Sequence, residues 1–197
     1  MQRRRVLMTG LTALTSISTF VPVHAQLPSP VQARADLPDI LRAGACVVML
    51  RHAQTDPGLG DPADFRIGQC STQRNLSEAG RAQARRIGQW FEAQGLQARA
   101  VQSSAWCRCR ETAELAGFGV ATHSVLPALG STFSDGSSQE QQTAALRTLL
   151  SRLPAGRFDV WVTHQVNISA LTGVSPAMGE AVVLGLDGKP LARASFV

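Results

Sequence analysis

The sequence has no apolar run of the roughly 18 residues that a membrane-spanning helix requires. Its longest candidate, Val6 to Val21, is broken by Thr9, Gly10, Thr12, Thr15, Ser16, Ser18 and Thr19, which argues against a transmembrane anchor there. Lysine is nearly absent, Lys189 being the only one, so almost all positive charge is arginine; compositional bias accounts for that without a functional reading. No basic run with interleaved aromatics occurs after the first residues, which argues against a nucleic-acid partner. No C-x2-C pair with a second pair or with nearby histidines occurs either, although Cys107 and Cys109 stand close together. Zinc spacing is thus missing, and the four cysteines (Cys46, Cys70, Cys107, Cys109) fit disulfide chemistry better than a metal site. There is no internal repeat and no low-complexity tract.

What is present begins with a leader. Arg3, Arg4 and Arg5 precede the weakly apolar stretch, and "VHA" ends in a small residue at Ala25, so residues 1–25 read as a secretory signal peptide. The Arg-Arg-x-Val-Leu pattern also fits a twin-arginine signal. A periplasmic or secreted destination is expected, where an even cysteine count permits disulfides. Without the leader's three arginines the formal charge falls from +5 to +2, so the high pI says little about partners. Residues 26–37 read as a linker and 38–197 as one domain of ordinary size.

Within that domain "CVVML" (46–50) is a buried strand that ends in Arg51 and His52. A long Gly-, Pro- and Asp-rich loop follows from Asp56 to Asn75; loops of that length in compact domains are usually functional or disordered. Ser77 caps a helix to about Gln94, with Ala79, Ala82, Ile87, Trp90 and Phe91 on the apolar side. Residues 98–104 form a strand ending in Ser103-Ser104, and a short helix runs from about Trp106 to Ala116. "ATHSVLPAL" is extended; Ser138 and Gln141 open a helix with Leu146, Leu149, Leu150 and Leu153 inward. "FDVWVTH" is a strand ending in His164, "NISALTG" a helical turn, and residues 180–196 a hairpin about Asp187-Gly188.

Strands alternating with helices imply a mainly parallel sheet covered on both faces, a three-layer α/β/α domain with a C-terminal antiparallel hairpin. Ligands of such sheets sit outside the carboxyl ends of the strands. Three strands end there in polar groups, Arg51-His52, Ser103-Ser104 and Thr163-His164, and together they suggest a site.

"LRHAQT" with a distant "VTHQ" resembles the histidine phosphatase superfamily, also called phosphoglycerate mutase-like. Its signature is Arg-His-Gly-x-Thr, with Ala53 here in the glycine position. "NLSEAGRAQARRIG" and the Ser-x-x-x-Arg-x-x-x-Thr pattern of Ser104, Arg108 and Thr112 extend the resemblance over essentially the whole mature chain. The resemblance implies a phosphoglycerate mutase-like fold and a small exported member. His52 would be the nucleophile forming a phosphohistidine, with Arg51, Arg108, His164 and Thr55 about the phosphate and with no cofactor or metal. The chemistry agrees. A neutral imidazole attacks phosphorus near neutral pH, and guanidinium forks match phosphate oxygens as lysine cannot.

The family's general acid is a glutamate between the two histidine motifs, or an aspartate after the second histidine. Here Ser131 and Gln165 stand in those places, and Asp135 is the nearest carboxylate and the candidate acid. In the same frame a Cys70–Cys107 bridge would staple the long loop to the arginine-bearing helix, with Cys70–Cys109 the alternative and Cys46 buried and free. The leading expectation is an exported phosphoric monoester hydrolase acting on a small phosphate ester or an envelope sugar phosphate. The alternatives are a weakly catalytic phosphate- or anion-binding module of the same fold and, thirdly, a cysteine-based metal-binding protein.

Overall fold

The computed structural model describes residues 36–58, 60–131 and 138–196. The leader, most of the proposed linker and Asp135 lie outside the described residues. One sheet of six strands forms the centre: β1 (Cys46–Arg51), β2 (Val101–Ser103), β3 (Ser124–Val125), β4 (Phe158–Thr163), β5 (Glu180–Gly185) and β6 (Pro190–Ser195), in the order β3-β2-β4-β1-β5-β6. The first four run parallel, and β5 pairs antiparallel with both β1 and β6. The hairpin therefore extends the sheet from its central strand.

Alternation along β1 explains the layers. Val48 and Leu50 point to a core shared with α1 (Leu37–Ala43), α2 (Glu78–Ala93) and α3 (Cys107–Ala116). Val47 and Met49 point to the opposite core, built with α4 (Gln139–Leu150) and α5 (Gln165–Thr172). Because both faces are covered, β1 and β4 are apolar nearly throughout instead of alternating with polar residues. This is the three-layer α/β/α architecture expected from the sequence.

Details differ from that reading. Helix α1, opened by Pro38 in its first turn, buries Leu37 and Leu41 and has no counterpart in the sequence reading, where Leu37 closes the linker. Helix α2 buries Gly80, Ala84, Ile87 and Phe91, while Ala79 is exposed. Alanine marks a face weakly, and the inward position at the helix start is fixed by Gly80. A Cβ there would lie 1.8 Å from the Gln54 carbonyl oxygen, so only glycine lets α2 abut the segment after His52. The caps are as read: Ser77 Oγ accepts from Gly80 N at 3.0 Å, and Ser138 Oγ from Gln141 N at 3.1 Å. No helix among the described residues is long and apolar enough to cross a membrane.

Candidate active site

Parallel register brings the polar strand ends level. Arg51 lies opposite Thr163 and Ser103 opposite Val162, so His52, Ser104 and His164 all emerge at the same carboxyl edge. Backbone bonds continue the ladder one step beyond the strands, His52 N donating to Thr163 O and Ser104 N to Val162 O, each at 3.0 Å. The rings of His52 and His164 meet edge to face, with centroids 5.6 Å apart. Both are almost fully buried, at 3% and 5% exposure.

Their hydrogen bonds fix which nitrogen can react. His52 Nδ1 lies 2.8 Å from the Ala53 carbonyl oxygen, which can only accept, so Nδ1 carries the hydrogen and the lone pair is on Nε2. Ala53 is held in turn: its N–H donates to Thr112 Oγ1 at 3.0 Å, and that hydroxyl donates to Arg108 O. His164 Nε2 is engaged by Ser104 Oγ at 3.0 Å, with Cys109 Sγ at 3.6 Å, which leaves one ring nitrogen, Nδ1, for a ligand. Each member of the Ser104, Arg108, Thr112 set thus has a separate contact with the site.

Burial, then the Arg108 charge and more weakly those of Arg51 and Arg74, push His52 down to about 3 against the opposing pull of the Ala53 carbonyl. His164 lies well below the usual histidine range for the same reasons, burial first and then its neighbour His52 and the three arginines. Both imidazoles are therefore neutral at ordinary pH, the form in which Nε2 of His52 is nucleophilic.

Three arginines set the electrostatics. Arg51 Nη1 donates to Gln165 Oε1 and to Pro176 O, each at 2.8 Å. Arg108 lies 4.4 Å from the Trp106 ring centroid, and its Nη1 donates to Asp61 Oδ1 and Oδ2 at 3.0 and 3.2 Å. Arg74 donates its side chain to Gly58 O at 3.2 Å and its backbone N–H to Asp61 Oδ1 at 2.8 Å. The Nε–H groups of all three are buried and have no partner among the described residues. A buried donor left unpaired costs about 1–3 kcal/mol, so such a set suits an anionic ligand. Three guanidinium charges less the Asp61 carboxylate give a surplus of two, which matches a phosphate monoester's charge of about −1.5 to −2.

A cavity of about 340 Å³ opens beside Arg108, bounded by Asp61, Phe65, Arg74, Trp106 and Ser131. Arg74 and Arg108 line it but neither histidine does, and a larger cavity of about 610 Å³ between the far ends of α2 and α3 holds none of these residues. The loop 56–75 walls the smaller cavity and is tied to α3 by the Cys70–Cys107 disulfide, with Cα atoms 5.6 Å apart. Cys46 and Cys109 are free and buried. Gln73 adds a second tie, its Oε1 accepting from Cys107 N at 2.9 Å.

Of the residues expected at the site, Arg51, His52, Arg108 and His164 are brought together. Thr55 is buried nearby, but its hydroxyl is directed at Met178 Sδ at 3.7 Å. Asp135 lies outside the described residues. Asp61 and Arg74 went unrecognised in the sequence, where both sit in a loop without periodicity. The signal available was Arg74 immediately before the "NLS" that opens the next helix. Among the described residues no group of three His, Cys, Asp or Glu side chains is placed to hold a metal ion.

A family model described as histidine phosphatase superfamily (branch 1) matches residues 47–129, a span holding both strand-tip and helix motifs. Residues 47–129 thus carry the sequence pattern of the histidine phosphatase superfamily. Solved structures agree on the fold. A phosphoglycerate mutase from Thermus thermophilus is similar with a TM-score of 0.56 and 21% identity over 77% of this chain and 99% of that one. The protein histidine phosphatase SixA, complexed with tungstate, is similar with a TM-score of 0.54 and 18% identity, covering 76% and 96%. A mycobacterial glucosyl-3-phosphoglycerate phosphatase gives 0.54 and 21%, covering 72% and 93%. No curated protein matches by sequence.

Proposed function

We propose that the protein is an exported phosphomonoesterase that hydrolyses phosphate esters through a phosphohistidine on His52. The observation that carries this is the pairing of His52 Nδ1 with the Ala53 carbonyl, which leaves a neutral Nε2 lone pair among three arginines. In this reading the phosphoryl oxygens occupy the unpaired guanidinium donors while Nε2 attacks phosphorus in line. His164, with Nε2 engaged by Ser104, offers Nδ1 to the developing charge. Water then cleaves the phosphohistidine.

The glucosyl-3-phosphoglycerate named for the mycobacterial phosphatase supports a small phosphorylated molecule as substrate, and the tungstate bound by SixA supports an oxyanion site. The leader argues for an envelope compound, a sugar phosphate among them, met outside the cytoplasm. Hydrolysis fits better than mutase chemistry for the same reason, since an exported protein does not meet glycolytic intermediates.

The test is a phosphate-ester screen that includes p-nitrophenyl phosphate, with acid-quench avoidance and trapping of the phospho-adduct. Wild type turns over at least one ester and carries label on His52. His52→Ala loses at least about 10,000-fold in turnover. Phosphate binding without turnover of any ester by the wild type would leave the alternative, an anion-binding module.

A further inference from the structure

An ester oxygen that leaves as an alkoxide needs a proton, and the residues so far described do not supply one. His52 and His164 are neutral, and the arginines hold their protons. The buried carboxylates Asp159 and Glu180 are paired with Arg99 and Arg193 and do not line the cavity. Gln165, directly after the second histidine, is committed to Arg51 and is no acid.

One carboxylate among the described residues does line the cavity, that of Asp61. Its two oxygens are held unequally. Oδ1 accepts from the Arg74 backbone N–H at 2.8 Å as well as from Arg108 Nη1. Oδ2 accepts from Arg108 Nη1 at 3.2 Å and, among the described residues, from nothing else. A phosphoryl oxygen that reaches Arg108 Nη1 competes with Oδ2 for that nitrogen. Oδ1 stays tethered to the loop backbone. Displaced Oδ2 then stands beside the phosphoryl group, on a residue that lines the cavity.

We propose that Asp61 is the general acid of this site, its Oδ2 taking up the acid proton of a monoprotonated phosphate ester as that ester displaces it from Arg108. This rests on the phosphatase reading and adds to it the source of the proton. In the first step the His52 Nε2–P bond forms and the P–O(ester) bond breaks. The Asp61 proton passes to the departing oxygen, so the products are an alcohol, a phosphohistidine and an Asp61 carboxylate. In the second step water attacks phosphorus and gives a proton to Asp61. The N–P bond electrons return to Nε2, and inorganic phosphate leaves. The substrate class follows: alkyl phosphates, whose leaving groups need protonation, and not only activated aryl esters.

The experiment compares wild type, Asp61→Asn and Asp61→Glu on β-glycerol phosphate, whose alcohol leaves poorly, and on p-nitrophenyl phosphate, whose phenol leaves readily. Inhibition by inorganic phosphate and thermal melting are followed in parallel. Asp61→Asn is expected to lower kcat on the alkyl ester about 100-fold more than on the aryl ester, and Asp61→Glu to recover part of that difference. A difference under about tenfold overturns the proposal. So does a gain on both esters with tighter phosphate inhibition, which would make Asp61 only a competing anion. Failure of the phosphatase reading looks different: wild type then turns over neither ester, His52 takes up no phosphoryl group, and both proposals fall.

Discussion

Arg51, His52 and His164 are held by strands, whereas Asp61 and Arg74 are held by a loop, and the two halves of the site obey different rules. The strand half is fixed by a ladder running from Cys46 opposite Phe158 to Arg51 opposite Thr163, with apolar side chains packed on both faces. Shifting it would break many backbone bonds at once. The loop half rests on local hydrogen bonds: Arg66 N to Thr72 Oγ1, Gln73 Nε2 to Arg66 O, and Asn75 Nδ2 to Cys70 O, together with one disulfide. The proposed nucleophile His52 therefore belongs to the rigid half, and Asp61 and Arg74 belong to the half that can be retuned. Loop-borne specificity on a rigid mount is a common division of labour.

The strand half should carry a large acid sensitivity. His52 is held down to about 3 and His164 well below its usual range, both chiefly by burial, while unfolded histidine titrates near 6.5. Between those values the unfolded chain binds protons that the native one refuses. Stability is therefore full above about pH 6.5 and falls as pH drops toward 3, by at most about 1.4 kcal/mol per pH unit for each histidine. Urea unfolding in phosphate-free buffers measures the slope, and His52→Gln or His164→Gln should flatten it. A slope unchanged in both variants would show that the acid sensitivity lies elsewhere in the molecule.

The same division decided what could be read without coordinates. Apolar runs that stop at Arg51-His52 and Thr163-His164 are visible in the sequence because strand burial has a compositional signature and parallel register aligns the strand ends. The three-layer fold was legible for the same reason. Helix α1 was not, since seven residues give too few turns to show a period. Asp61 and Arg74 were not legible either: a loop has no repeat, and their approach to Arg108 depends on where the disulfide and the Gln73 contact bring residues 56–75. The cysteine pairing emerged only through the family resemblance, as four cysteines leave several pairings open.

Arg74 gives the next largest effect and tests whether the loop half takes part in chemistry. Its Nε–H is buried without a partner among the described residues, and its charge is felt by both histidines. Arg74→Ala should lower kcat/KM for phosphate esters about 100- to 1000-fold and weaken inhibition by inorganic phosphate, with little change in melting temperature. The Asp61 tether survives this change, because it uses the Arg74 backbone. Activity within threefold of wild type would confine phosphate binding to the strand half and its helix.

Opening the Cys70–Cys107 bond releases the loop half from α3 without altering a charged side chain of the site. The bond joins positions 37 residues apart, and bridges of that kind typically stabilise by about 2–4 kcal/mol, largely through the unfolded chain. The Cys70→Ser/Cys107→Ser double variant should lose that much in denaturant unfolding. It should also lose on the order of tenfold in phosphate affinity, because Asp61 and Arg74 are then placed by local hydrogen bonds alone. His52 and His164 keep their ladder, so phosphoryl transfer from p-nitrophenyl phosphate at saturation should suffer less than affinity does. Loss of stability with phosphate affinity unchanged would mean that Gln73 and its neighbours suffice to seat the loop. Equal loss in affinity and in saturated turnover would mean that the strand tips depend on the loop after all, and the division into two halves would not stand.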